Sequence, residues 1–512
     1  MITPWRPGRD AHAVRHPAPR PNTPRPAPVD GPVLVAGGGI AGIAAAVGLA
    51  ERGLPVTMVE PSDQLGGRVR AWPVDHGGDR VMMSRGFHAF FRQYYNLRSL
   101  LRRVDPALEG LVPLADYPLV LAGGHADSFA HIPRTPPLSL AAFVAQSPSF
   151  TLRDLAAVDV GAAMELLDVD FPGTFANYDG ESAAHFLDRL RFPDQARHLA
   201  LEVFARSFFA HPSDFSAGEL VAMFHAYFLG SSEGLLFDVP RDDYDTVLWA
   251  PLRRYLEGLG VDVRARDRVA AIEVATNDLH VHLGSGGEVS AAAVVLATDP
   301  ASRRSLLLDS AVGDHGWRDR VAAARTAPPF AVWRVWLDRL VENGRPEFLG
   351  TAGFGPLDNI SVLERFEDGA RRWSANHGGS VVELHAYALV GEPDERQLRA
   401  RLRDELDRIY PELAGAAVRA EEWLVRDDCP LADTGPWVDR LTVDTPDPRI
   451  KLAGDGIRCD YPVALMERAA TTGFLAANSL LADRGRPGHD LWTVPMRSRH
   501  RVSRPLHRLL TR

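Results

Sequence analysis

The chain has 512 residues, 46% of them hydrophobic and 24% charged, with a formal net charge of −9. That length exceeds what one hydrophobic core serves, so two packed regions are expected, and the composition is that of a globular protein rather than a disordered or fibrous one. The acidic balance leaves no footprint for nucleic acid, Cys429 and Cys459 cannot build a disulfide framework, no cluster has metal-ligand spacing, and no apolar run is long enough for a transmembrane helix.

Residues 1–30, rich in proline and arginine, cannot bury enough apolar surface to offset ordering and are expected to form a disordered arm; they lack the apolar run of a secretory signal. Next, Pro32 to Ala36 reads as a short apolar strand, Ile40 to Arg52 as an alanine-rich helix, and Val56 to Glu60 as a second strand, a βαβ opening of the kind that carries dinucleotide sites. Helical patterning follows, with Leu220, Met223, Phe224, Tyr227 and Phe228 on one helix face. That face suits a core helix, and alternatively the wall of an apolar tunnel or a membrane-facing surface. Strand character returns at 261–263, 269–274, 279–283 and 293–298, punctuated by glycines, as a β-meander rejoining the sheet. A last strand at 450–453 precedes a small-residue helix, Ala464 to Leu481. The organisation predicted is a discontinuous cofactor domain (31–105, 246–299 and 448–485), a substrate domain inserted into it (106–245 and 300–447), and a tail at 486–512.

Gly37, Gly39 and Gly42 form G-x-G-x-x-G between the first strand and its helix. The first glycine makes the tight turn, the second lets backbone approach a pyrophosphate, and the third lets the helix pack on the strand, while the helix N-terminus offers free N–H groups and a positive dipole end. Glu60 ends the second strand about twenty residues on, placed to accept hydrogen bonds from an adenosine ribose and to repel the phosphate of NADP.

Leu65-Gly66-Gly67-Arg68 resembles the second glycine box of glutathione-reductase-type flavoproteins, the superfamily of amine oxidases, phytoene desaturases and GDP-dissociation inhibitors, and Leu452 to Gly456 resembles its distal box. The resemblance implies an α/β fold in which a Rossmann FAD-binding domain carries an inserted α+β substrate domain. It places Gly67 and Arg68 by the FAD pyrophosphate, Gly454 and Asp455 by the ribityl and phosphate region, and the N-terminus of the helix after Glu467 at the isoalloxazine, where its dipole would stabilise anionic reduced flavin, while the position of the meander sets Val269 at the adenine through its backbone. FAD is expected to be bound without a covalent link.

Gly86 to Asn96 resembles the G-x-H-x-F-F-x-x-Y-x-N segment of plant-type phytoene and ζ-carotene desaturases, with Arg92 where those have glycine. Met83 to Arg98, 114–119 and Asp455 to Arg468 are more similar still to the actinobacterial isorenieratene synthases, which are β-carotene desaturase/methyltransferases. The resemblance implies an FAD-dependent oxidoreductase of carotenoid biosynthesis that aromatises β-rings, with a hydrophobic carotenoid substrate, quinone or oxygen as electron acceptor, and a cytoplasmic protein peripheral to the membrane. His88 is its candidate base; orienting flavin, shuttling a proton or satisfying backbone partners are open alternatives. Phe90, Phe91, Tyr94 and Tyr95 read as packing residues, and Asn96 as a helix cap. Other readings are a desaturase of a linear carotene, a flavin amine oxidase, or a non-enzymatic lipid binder of the GDP-dissociation-inhibitor kind.

Overall fold

A computed structural model of the chain describes residues 8–22, 31–114, 116–136, 138–200, 208–310, 312–391 and 394–498. Ala115, residues 1–7 and 23–30 of the arm, and 499–512 of the tail lie outside them. Five parallel strands form the first sheet, in the order Asp262–Ala265, Val56–Glu60, Val33–Ala36, Ala293–Leu296, Ile450–Leu452. Val33–Ala36, Val56–Glu60 and Ala293–Leu296 are buried along their whole length, which is why they read as continuous apolar runs rather than alternating ones. Helix Ile40–Ala50 packs against helix Leu465–Asp483 through small residues: a β-carbon on Gly473 would lie 2.2 Å from the Ala41 carbonyl oxygen.

Of the four strands expected in the middle, only two belong to the meander, which runs Val269–Val274, Leu279–Leu283, Glu288–Ala291. The other two, Asp262–Ala265 and Ala293–Leu296, join the parallel sheet. Helix Ala250–Gly258 supplies the crossover that parallel pairing needs before Asp262.

The second sheet has seven strands, in the order Val418–Arg426, Phe330–Leu337, Val381–Ala386, Asn359–Val362, Phe348–Ala352, Leu119–Leu121, Ala126–Asp127. It draws on both long insertions. A ribbon of three strands, Phe90–Phe91, Phe237–Pro240 and Leu111–Pro113, accompanies the chain between the two sheets.

Three expectations are corrected. The arm is not uniformly without structure: Val14–His16 pairs antiparallel with Leu491–Thr493, the His16 ring lies 4.3 Å from Tyr461, and Asp10 is 5% exposed beneath Tyr95, so a partner from the other end of the chain supplies the burial that the arm lacks. Asn96 does not cap its helix. That helix, Tyr95–Leu101, begins on Tyr94, and its free N–H groups at Asn96 and Leu97 donate to the two carboxyl oxygens of Glu467, while the Asn96 amide binds Thr471 and the Trp492 backbone. The aromatic helix is core and no membrane-facing surface. Ala217–Phe224 continues into a π-helical turn, His225–Leu229, and from 217 to 229 only Phe224 is less than fully buried. Among the described residues no helix is long and apolar enough to cross a membrane.

Candidate active site

A cavity of about 1350 Å³ opens at the carboxyl ends of the parallel strands and extends to the seven-stranded sheet. Pockets that hold drug-sized ligands run to roughly 300–1,000 Å³, so this one has room for a dinucleotide and a second molecule. Ligands bind at that end of open α/β sheets because the helix N-termini converge there.

Gly37 and Gly39 line the cavity, but Gly42 does not. A β-carbon on Gly42 would lie 1.9 Å from the Gly37 carbonyl oxygen, so its hydrogen is what lets the helix sit on the turn. Gly39 is different. Its φ of −75° suits any residue, and a β-carbon there would meet only the Gly67 α-carbon at 3.7 Å, so the space in front of it is not filled by protein. The second glycine box is bonded directly to the first, Gly66 N–H donating to the Gly38 carbonyl at 2.8 Å, which brings Gly67 and Arg68 onto the same wall.

Glu60 is buried and cavity-lining; its oxygens accept from the Gly38 N–H at 2.7 Å and the Ser62 N–H at 2.9 Å, each keeping a further lone pair. Val269 borders the cavity where strand pairing breaks register between Val269 and Ala271, a bulge that re-aims backbone there. Gly454 and Asp455 follow the last strand; Thr472 Oγ1 holds both the N–H and the carbonyl of Gly454, and Arg68 forms an ion pair with Asp455. Asp455 and the nearby Cys429 and Asp428 hold the Arg68 guanidinium above its ordinary range despite burial. Leu465, Met466 and Arg468 bring the start of helix Leu465–Asp483 to the same cavity.

One cation there was not legible as a site residue. Arg303, in the first turn of helix Pro300–Asp309, is 3% exposed and lines the cavity, and among the described residues none accepts a hydrogen bond from its side chain. Burial pushes it down to about 10, opposed by Asp455 and Asp299.

His88 reaches the cavity as well, half-buried, with Nδ1 2.8 Å from the Gly86 carbonyl, which makes Nδ1 the protonated nitrogen. Burial pushes it down to about 4, so it is neutral and weakly basic. Gly86 itself has φ +105°, and a β-carbon on it would lie 2.5 Å from His385, so the G-x-H turn is pressed against a second histidine. That histidine belongs to a buried chain. Arg334 donates to Glu383, Glu383 accepts from His385 at 2.9 Å, and His385 Nδ1 lies 2.5 Å from the Tyr387 hydroxyl. His385 and Tyr387 line the cavity. Sequence reasoning missed Glu383, His385 and Tyr387, although Glu383 and His385 share a face of strand Val381–Ala386 and Tyr387 follows its end at the same two-residue spacing. Phe91 and Tyr94 also line the cavity, whereas Phe90 and Tyr95 are core and Arg92 turns away to pair with Asp238.

A parallel sheet with its glycine turns at one end of a cavity, and a second sheet closing the other end, define a dinucleotide-dependent oxidoreductase. The chain belongs to the flavin-containing amine oxidoreductase family, whose profile matches residues 40–481. It is 52% identical over 98% of its length to a carotenoid phi-ring synthase of Streptomyces griseus, covering 97% of that protein, and 25% identical over 89% of its length to a zeta-carotene desaturase of Synechocystis, covering 98%. Among solved structures it resembles a putrescine oxidase bound to putrescine (TM-score 0.64, 16% identity, 88% of this chain and 99% of that one) and the cyclohexylamine oxidase of Brevibacterium oxydans (TM-score 0.62, 16% identity, 88% and 100%), a likeness of fold. The protein is an FAD-dependent oxidoreductase, and the expected α/β fold with a Rossmann FAD-binding domain holds.

The residues present fit FAD. The space in front of Gly39 and the Arg303 guanidinium, which has no acceptor among the described residues, are what a pyrophosphate requires. Burial pushes the cavity-lining Cys429 thiol up to about 11, which leaves it unreactive and suits a non-covalent cofactor.

Proposed function

We propose that the protein is a carotenoid-modifying enzyme of the desaturase kind that aromatises the β-rings of β-carotene with an internal methyl shift, giving isorenieratene. The observation that carries this reading is the 52% identity, along nearly the whole chain, to a protein named for a carotenoid ring. Gly37, Gly39, Glu60, Gly67, Arg68, Val269, Gly454 and Asp455 hold FAD in this reading, Gly42 supports their turn, and Arg303 joins them. Bound FAD supplies hydride acceptance, and its electrons leave to a quinone or to oxygen.

Each β-ring must lose two hydrides and two protons and move one methyl group to become an arene. Positive charge therefore stands beside the gem-dimethyl carbon while a methyl group migrates to it, and no S-adenosylmethionine is called for. The chain's part is to keep water away and to offer π faces to that charge. Phe87 stacks on Phe348 at 4.4 Å and meets Phe237 edge-on at 6.0 Å, and all three line the cavity. A polyene is stored in lipid, so the reading includes contact with a membrane surface. The buried aromatic helix does not provide it; among the described residues of the first insertion, Leu138 and Val160 are exposed large apolar side chains.

The test is expression in cells that accumulate β-carotene labelled in its gem-dimethyl groups, followed by pigment chromatography. Label on an aromatic ring carbon bearing a shifted methyl is the expected result. A linear desaturated polyene from lycopene-type precursors, with β-carotene untouched, overturns the reading.

A further inference from the structure

We propose that Tyr387 takes the proton that the substrate ring loses, passing its own phenolic proton to His385, which Glu383 and Arg334 hold in place. The proposal rests on the ring-aromatising reading above and supplies the base that reading needs.

The order of the chain fixes the direction of proton flow. Glu383 is fully buried, and its Oε2 accepts from Arg334 Nε at 2.9 Å and Nη2 at 2.7 Å. Arg334 is itself anchored on the Met82 carbonyl and the Ser84 hydroxyl. The paired guanidinium and the adjacent imidazole hold the carboxyl down at about 2 although burial alone would raise it, so Glu383 is an acceptor only. Two groups face His385 Nε2, the Glu383 Oε1 at 2.9 Å and the Phe87 N–H at 3.4 Å, and the shorter contact to an ionised carboxylate assigns the hydrogen to Nε2. Nδ1 is left with its lone pair toward Tyr387, and the hydroxyl 2.5 Å away donates to it. The Tyr387 oxygen accepts from Asn359 Nδ2 at 2.9 Å, a donor placed to steady a phenolate. This is the logic of a nucleophile, a base and an orienting carboxylate, with a phenol in the first place.

Position supports the same order. Tyr387, His385 and Asn359 border the cavity, whereas Glu383 and Arg334 lie behind the wall. The Tyr387 ring is held edge-on against Phe209 at 4.9 Å, and its backbone N–H donates to Asp358 at 2.5 Å, so the hydroxyl is placed by ring packing and main chain rather than by a flexible stem. His88 offers a poorer base: its Nδ1–H is committed to Gly86, and burial holds it neutral and weakly basic.

In the step itself the ring C–H bond breaks, its electron pair stays as the new ring double bond, and the proton goes to the Tyr387 oxygen as the Tyr387 proton goes to His385 Nδ1. The imidazolium formed lies against the Glu383 carboxylate. Each ring loses two protons, so between the two transfers the relay must reset, Tyr387 releasing the substrate proton toward the cavity mouth as it takes its own back from His385 Nδ1. Tyr387 is then the catalytic group, and His385 and Glu383 are positioning residues that act through it.

The experiment compares wild-type and Y387F holoenzyme turning over β-carotene in mixed micelles. The expected result is unchanged flavin content and KM with kcat lowered at least about 100-fold, the scale of a general base. Substrate deuterated at the ring carbon that loses the proton should show a larger isotope effect on kcat in Y387F than in wild type, which a loss of packing would not produce. Should Y387F lose its flavin, H385Q, which keeps a hydrogen-bonding side chain but cannot carry the proton, must show the same fall in kcat. A kcat within about tenfold of wild type in the folded variant, or an unchanged isotope effect, overturns the relay. Wild-type enzyme that leaves β-carotene intact overturns the function reading and the relay with it, whereas active wild type with equally active Y387F removes the relay alone.

Discussion

Replacing Glu219 with glutamine should destabilise the whole protein, because its carboxylate bridges the buried Arg468 and the half-buried Arg440. Glu219 sits in the first turn of helix Ala217–Phe224 at 0% exposure. It accepts from Arg468 at 2.6 and 3.0 Å and from Arg440 at 2.7 Å. Despite burial, which would raise it, the two guanidinium groups hold its carboxyl below the ordinary range, so it is charged in the folded protein. The substitution preserves shape, removes the charge and turns an N–H group toward one arginine. Breaking a buried pair from one side costs about 3–5 kcal/mol. The amide oxygen still serves one arginine, which argues for the lower end, about 3 kcal/mol or roughly a hundredfold in the folded-to-unfolded ratio. Urea unfolding at pH 7, followed by tryptophan fluorescence and circular dichroism, should show a lower midpoint with an unchanged slope. A loss below about 1 kcal/mol would refute the claim that this triad joins the helix of the first insertion to the helix beside the cofactor cavity.

Two further outcomes follow from the geometry. Gly39→Val should fold, since its backbone is unstrained and its β-carbon meets only Gly67 at 3.7 Å, yet carry less than about a tenth of the wild-type flavin; full flavin absorbance in the folded variant would place the pyrophosphate elsewhere. Burial pushes Glu467 up to about 8 from an ordinary 4.5, so its contribution to stability is full below about pH 4.5 and is lost as pH rises through about 8. The melting temperature of Glu467→Gln should therefore gain on wild type across that window, and parallel melting curves for the two would remove the argument.

What was legible in the sequence follows the reach of each interaction. The first glycine box could be read because its spacing is set locally, Gly42 by the Gly37 carbonyl, although what presses on Gly37 and Gly66, the Ala297 carbonyl and the Trp249 ring, comes from far along the chain. Asn96 was misread as a cap because its partners, Thr471 and Trp492, and the carboxylate that does the capping, Glu467, come from the far end of the chain. The strand Val14–His16 was hidden for the same reason, its partner being Leu491–Thr493. Helical spacing identified the aromatic face at 220–228, but periodicity says which residues share a face, not what covers it. Glu383, His385 and Tyr387 did leave a signal, polar residues at alternate positions in and just past an apolar strand, and it went unused because a single polar face on a strand ordinarily means solvent. Arg303 left none: an arginine after a helix start is ordinary until burial removes its partners.

The charge of the cavity, set against that of the chain, argues for the cofactor independently of any motif. The protein as a whole is acidic, at −9, yet the described residues around the cavity include ten arginines against eight carboxylates, a surplus of two positive charges. Such a surplus concentrated in a partly enclosed space of low dielectric is costly unless an anion arrives to meet it, and the Arg68 and Asp455 pair shows that the chain supplies carboxylates where it needs them. Leaving Arg303 without an acceptor next to that pair is therefore informative. A pyrophosphate carries the two negative charges that complete the balance, and it does so at the glycine turns where backbone can approach it. The aromatic wall around Phe87 and Phe348 carries no such charge, which leaves that part of the cavity to an apolar substrate and the proton relay beside it as its polar exit.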